Sequence, residues 1–203
     1  MRDSEPTQAK LIILSGPAGS GKTTLCERLL AEHPDSFRRV ITCTTRSPRE
    51  GEVHGEDYYF LSPEEFEQRL AKGEFYEHAQ VHGRYYGTLK SEIDRHLDAG
   101  HHVLLNIDVQ GAASFREAEK DSPALTGRLH TIFVSVTPEQ MRERMLGRGD
   151  NDESDIARRL KSAQDELART GEFDHVIPSA DKESDYQRVL MLIKRLTSGL
   201  TGR

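Results

Sequence analysis

Short apolar runs and amphipathic stretches take turns along this chain, the alternation that βαβ units impose. Residues 11–14 (LIIL) read as a buried parallel strand and 16–22 as a glycine-rich turn, and the helix that follows carries Leu25, Leu29 and Leu30 on one face. Two more buried strands are predicted at 103–107 (VLLNI) and 131–136 (TIFVSV). Ser91 is expected to cap a helix that turns Ile93 and Leu97 inward and stops at Gly100. Thr137 and Pro138 open another helix with Met141 and Met145 on a shared face, and 175–177 (HVI) is strand-like. From about Glu183 a last helix repeats Tyr186, Val189, Leu190, Ile193 and Leu196 at helical spacing.

Residues 41–89 have a different texture. Long apolar runs are scarce, five of the six tyrosines fall here, and Gly51, Gly55, Gly83 and Gly87 punctuate the stretch. PEEFEQRL (63–70) supplies one short helix, and the rest alternates like small antiparallel strands. The pattern predicts an inserted subdomain. A second polar stretch, 147–154 (GRGDNDES), reads as a mobile loop between two helices. The expected fold class is α/β: a three-layer core on a parallel sheet, with an inserted subdomain. The expected divisions are a flexible tail at 1–9, a core made of 10–40, 90–137 and 170–203, the insert at 41–89, and a further segment at 138–169.

Composition narrows the function. In 203 residues, 31% charged and 35% hydrophobic, the chain is of globular type and long enough for a real core. A net charge of -6 argues against general nucleic-acid binding, so any cations that handle phosphate must be concentrated locally. Cys26 and Cys43 are the only cysteines and share no metal-ligand spacing with a histidine; they are expected to be reduced thiols. His101 and His102 read as a solvated pair entering a strand. The polar N-terminus lacks an apolar signal core and no run is long enough to cross a bilayer, so a cytoplasmic location without membrane contact is expected.

One motif is local and specific. Gly16-Pro17-Ala18-Gly19-Ser20-Gly21-Lys22-Thr23 matches G-x-x-x-x-G-K-[ST] in full, with a strand before it and a helix after it. Its glycines let backbone N–H groups surround an anion, and the helix N-terminus adds partial positive charge. Lys22 can reach the β- and γ-phosphates, the Thr23 hydroxyl suits Mg²⁺, and Thr24 completes the expected ATP-binding stretch. The motif specifies a nucleoside triphosphate with Mg²⁺ and leaves the phosphate acceptor open.

The rest of the chain, from about 10 to 170, resembles the guanylate kinases. The resemblance is densest at TTRSPREGEVHGEDYYF (44–60) and EFYEHAQVHGRYYGT (74–88), and continues through LLNIDVQG (104–111), RMLGRG (144–149) and IARRL (156–160). It implies an ATP:GMP phosphotransferase of purine metabolism, with dGMP as a further acceptor and no obligate protein partner. It also implies that Arg46, Arg49, Tyr58 and Tyr86 hold the GMP phosphate. Guanidinium forks and phenol hydroxyls are the donors best suited to a dianion. Glu77 is implied as the carboxylate that accepts the paired donors of guanine, with Thr42, Thr88 and Asp108 in support; adenine would leave such a carboxylate unpaired, which discriminates by about 10⁴-fold. Residues 138–169 are implied to form a small lid, from which Arg148 and Arg159 close over the transferred group, helped by Arg144 and Arg158; the catalytic set implied is Lys22, Arg49, Arg148 and Arg159.

Three places depart from the family pattern and a fourth stays open. Thr42 stands where serine is commoner, Asn106 where aspartate is common, and Pro178-Ser179-Ala180 where an Asn-Asp pair usually approaches the donor adenine. Asp108 at a strand end suits a metal-organising or nucleotide-binding role beside Thr23, or simply a loop cap. Two rival functions are a binding module that keeps the arginines without catalysis and a kinase for another phosphorylated small molecule. The intact Gly21-Lys22-Thr23 opposes the first, and the pairing of Glu77 with Thr88 opposes the second.

Overall fold

The computed structural model describes residues 8–81, 83–146 and 153–197. Five strands form the central sheet: β1 (Leu11–Ser15), β2 (Phe37–Arg39), β7 (His102–Asn106), β8 (Leu129–Ser135) and β9 (His175–Pro178). Their order is β2-β7-β1-β8-β9, and every pairing is parallel. A parallel sheet is covered on both faces, which explains the unbroken apolar runs. Leu11 and Ile13 enter one core with Val103, Leu105, Phe115 and Phe133, while Ile12 and Leu14 enter the other with Leu104, Ile132 and Val134. Helices α3 (Lys90–Asp98) and α4 (Val109–Asp121) supply the first core with Ile93, Leu97 and Phe115. Helices α1 (Lys22–Glu32) and α7 (Lys182–Thr197) supply the second with Leu25, Leu29, Tyr186, Val189 and Ile193.

A smaller sheet of four strands has the order β4-β3-β6-β5, from β3 (Cys43–Thr44), β4 (Tyr59–Phe60), β5 (Phe75–Val81) and β6 (Arg84–Leu89). Helix α2 (Pro63–Ala71) starts in a capping box: Glu65 N donates to Ser62 Oγ at 3.1 Å and Ser62 N to Glu65 Oε2 at 2.8 Å. It drives Phe66 between Phe75 and Tyr85, with ring centroids 4.5 and 5.1 Å away. Tyr76 of β5 is buried in the main core instead, its hydroxyl donating to Asp94 Oδ1 at 2.6 Å, so the small sheet is rooted in the large one.

Helix α5 (Pro138–Leu146) begins as expected, with Gln140 N donating to Thr137 Oγ1 at 3.2 Å and Thr137 N to Gln140 Oε1 at 3.0 Å. Its Met141 and Met145 pack on Ala163 of α6 (Glu153–Leu167).

Several expectations need correction. Strand β2 is additional to the pattern read above, and β3 pairs with β4 in parallel, although β3–β6 and β5–β6 are antiparallel as expected. Ser91 lies inside α3, whose N-cap is Leu89 with no side-chain cap, because the helix grows directly out of β6. His101 and His102 are half-buried and bonded: Lys10 N donates to His102 Nδ1 at 3.0 Å, and the Arg38 guanidinium meets His101 Nε2 at 2.9 Å. Both cysteines are free and buried, and burial pushes each thiol up to about 12. Among the described residues no helix is long and apolar enough to cross a membrane.

Candidate active site

The phosphate loop is shaped by where side chains cannot fit. Gly16 has φ 139, and a Cβ there would lie 2.3 Å from the Val134 carbonyl oxygen, so the loop presses on β8 as only glycine allows. Gly19 (φ 81) and Gly21 (φ 89) are left-handed, and Gly21 is the N-cap of α1 without a side-chain cap. The first turn of α1 also carries no acidic residue. Its N–H groups and dipole are therefore left to an anion. Lys22 arches over the loop, donating to Gly16 O, to Pro17 O at 3.0 Å and to Ser20 Oγ at 3.3 Å. Burial lowers its pKa, against the opposing fields of Glu166, Cys26 and Asp108.

Two cavities flank this first turn. One, of about 730 Å³, is bordered by Thr23, Thr42, Tyr58 and Asn106. The other, of about 490 Å³, is bordered by Gly19, Thr24, Arg144, Ala180 and Lys182. Arg144 ties the loop to the chain after β9, donating to Gly19 O at 3.2 Å, Ser179 Oγ at 2.9 Å and Ala180 O at 2.8 Å. The segment 178–180, where the family pattern breaks, is thus held by its own network. Ser179 Oγ donates to buried Asp185, and Ala180 N to Asp185 Oδ1 at 2.7 Å.

On the small sheet, Arg46 and Tyr86 come together with Tyr58. The Arg46 guanidinium carbon is 5.3 Å from the Tyr58 ring, and the Tyr58 and Tyr86 rings are 6.4 Å apart. Arg49 is exposed three residues away. Buried Thr44 builds the turn that presents them: Arg46 N donates to Thr44 Oγ1 at 3.2 Å, and that hydroxyl to Tyr85 O at 3.0 Å.

Glu77 and Thr88 face each other across β5 and β6, and the Thr88 hydroxyl donates to Glu77 Oε1 at 2.6 Å. Burial raises the Glu77 pKa, the Thr88 bond lowers it, and Asp108 raises it again. A half-buried carboxylate with, among the described residues, one oxygen unengaged suits a ligand offering two adjacent N–H donors.

Asp108 does cap a helix: its Oδ1 accepts from Gln110 N at 3.0 Å and Gly111 N at 2.8 Å at the start of α4. It also lies near enough to act on both Lys22 and Glu77. Asn106 donates through Nδ2 to Thr23 Oγ1 at 3.1 Å. That leaves the Thr23 oxygen a lone pair for a cation, and among the described residues no group of three His, Cys, Asp or Glu could form a dedicated metal cage. Such a donor set fits Mg²⁺ carried mainly by phosphates and water.

Arg159 of α6 borders a small space of about 200 Å³ together with Lys22, Thr23, Thr24 and Arg144. Arg148 lies outside the described residues, as does most of the 147–154 loop; Glu153 and Ser154 belong to α6. The sequence reading missed two carboxylates. Glu166 is half-buried near Lys22 and Asp108, and burial raises its pKa. Glu52 forks the Arg46 guanidinium at 2.8 and 2.9 Å. The signal for Glu52 was present, a carboxylate just past a glycine turn beside two arginines.

A family model described as guanylate kinase matches residues 8–196. A guanylate kinase of Chlamydia felis is 42% identical over 179 residues, covering 88% of this chain and 84% of the relative. One from Trichormus variabilis is 40% identical over 184 residues, covering 91% and 89%. The crystal structure of guanylate kinase from Anaplasma phagocytophilum superposes with a TM-score of 0.70 at 28% identity, covering 97% of this chain and 89% of that one. The parallel sheet with helices on both faces is accordingly the P-loop NTPase fold. With a match running almost end to end, the chain belongs to the guanylate kinase family and is a nucleoside monophosphate kinase.

Proposed function

We propose that this chain transfers the γ-phosphoryl group of ATP to GMP, yielding ADP and GDP, in the cytoplasm. The observation that carries the reading is the shared cavity of about 730 Å³, bordered by Thr23 beside the phosphate loop and by Thr42 and Tyr58 from the inserted segment. A donor and an acceptor bound on its two sides would meet in one space.

In this reading the amides of 16–24 and the Lys22 ammonium cradle the donor phosphates. Mg²⁺, held by the Thr23 hydroxyl with Asp108 nearby, would neutralise charge on those phosphates. Residues 41–89 act as the acceptor subdomain: Arg46, Arg49, Tyr58 and Tyr86 take the GMP phosphate, Glu77 accepts from the guanine ring N–H and exocyclic amine, and Thr88, Thr42 and Asp108 frame the base. Residues 138–169 act as the lid, from which Arg159 and Arg148 reach the equatorial oxygens on which charge develops. Closure excludes water, which would otherwise compete as acceptor. The acceptor oxygen is already anionic near neutral pH, so no general base is required.

The test is an ADP-release assay with ATP·Mg²⁺ and a panel of nucleoside monophosphates. GMP and dGMP are expected to turn over, with AMP, CMP and UMP below about one hundredth of the GMP kcat/KM. Turnover of AMP or UMP on a par with GMP would defeat the proposal.

A further inference from the structure

The Arg46 guanidinium has a partner of its own. Gly51 takes φ 85, and Glu52 N donates to Arg49 O at 3.1 Å, closing a turn that needs glycine at its third position. This turn swings Glu52 back toward Arg46. Glu52 Oε2 accepts from Arg46 Nη1 at 2.8 Å and from Arg49 N at 2.7 Å, and Oε1 accepts from Arg46 Nη2 at 2.9 Å. The second Nη1 hydrogen goes to Ser47 O at 2.9 Å.

An arginine has five N–H donors in a rigid plane. Glu52 and Ser47 occupy three of them, the end-on edge and the remaining Nη1 hydrogen. Glu52 and Ser47 do not use the Nε–H and the outer Nη2–H, which lie on one edge with the spacing that matches two oxygens of a phosphate. The side chains of Arg46 and Glu52 are only 18% and 20% exposed, so the fork is partly desolvated and held more firmly than a surface pair. Bonds from Arg46 and the Arg49 amide pull the Glu52 pKa down to about 2, so the carboxylate stays charged wherever the protein works.

We propose that Glu52 is a positioning residue for the acceptor phosphate: it grips one edge of Arg46 and thereby turns the adjacent edge toward GMP. The proposal rests on the reading of Arg46 as a phosphate ligand. Paired with Glu52, Arg46 contributes direction rather than net charge, and the charge that balances the dianion falls to Arg49. The opposing possibility is that Glu52 competes with the phosphate for Arg46 and must be displaced. The two predict opposite signs, since removing a competitor tightens GMP binding and removing a support weakens it.

The experiment measures GMP and guanosine affinities and steady-state constants for the wild type, Glu52→Gln, Arg46→Ala and the double variant. Glutamine keeps the size of the side chain and loses the charged fork. Glu52→Gln is expected to weaken GMP about ten- to thirty-fold, to leave guanosine within about twofold because guanosine carries no phosphate, and to leave kcat at saturating GMP within about threefold. On the Arg46→Ala background the same change should shift GMP affinity by less than about twofold, because its effect runs through Arg46. Tighter GMP binding in Glu52→Gln, a parallel loss of guanosine, or an undiminished effect in the double variant would each overturn the proposal. An inert Glu52→Gln beside a damaging Arg46→Ala would overturn it while sparing the reading of Arg46. An inert Arg46→Ala would overturn both.

Discussion

The loop at 16–24 and the clamp spread over 42–108, which we propose take the two nucleotides, are built in opposite ways. The loop is main chain: glycines at 16, 19 and 21 and the bare N-terminus of α1 offer amides that any polyphosphate can use. The clamp is side chain: the Arg46–Tyr58–Tyr86 cluster and the Glu77–Thr88 pair sit on a separate small sheet that is anchored through Tyr76. A backbone cradle is stiff and indiscriminate. A side-chain clamp reads chemical detail and depends on every orienting contact. Damage to the loop should therefore cut the rate of transfer, whereas damage to the clamp should change which acceptor is taken.

The comparison breaks most directly at Lys22. Lys22→Ala should lower kcat about a thousandfold while GMP affinity, measured by calorimetry, stays within about threefold. Equal losses in both would mean that the two regions are not separable. Next in size, Glu77→Gln should reduce the preference for GMP over AMP about a hundredfold, read as a ratio of kcat/KM values.

The same variant sharpens the account of burial. The folded Glu77 pKa lies above its unfolded value of about 4.5, so the folded state holds the proton more tightly, and stability falls as pH rises through that window. At neutral pH the ionised carboxylate is therefore a destabilising element that guanine donors would relieve. Glu77→Gln should melt higher than the wild type without ligand at pH 7.5. Guanosine affinity should decline on acidification through the raised Glu77 pKa, and the variant should show no such decline. The smallest effect belongs to Asn106: Asn106→Ala removes the donor to Thr23 Oγ1, and a Mg²⁺ titration of ATP binding should shift by about threefold. No shift would mean that the amide does nothing for the hydroxyl.

What the sequence disclosed follows from how locally each feature is encoded. The phosphate loop is one contiguous run, and β1, β7 and β8 announce themselves because both of their faces are buried. Strand β2 reads Phe-Arg-Arg and buries only Phe37, so an edge strand with two cations carries no periodic signal. The two-residue strands β3 and β4 are set by their neighbours, and their parallel pairing depends on a loop that brings Tyr59 back beside Cys43. Ser91 resembled a cap because its chemistry suits one, yet continuity from β6 placed the helix start earlier. The contacts of His101 and His102 leave no local signal because Lys10 and Arg38, which meet them, are distant in the chain. The candidate site shows the same division. Glu77 and Thr88 lie in register on adjacent strands, whereas the bonds of Asn106 to Thr23 and of Arg144 to Ser179 appear only after folding.

A bisubstrate probe, adenosine joined to guanosine through five phosphates, asks most directly whether the two anion pockets serve a single transfer. Titration by calorimetry should show one molecule per chain, tighter than ATP or GMP alone, with affinity lowered separately by Lys22→Ala and by Glu77→Gln. A probe that binds no better than ATP and ignores Glu77→Gln would contradict the account.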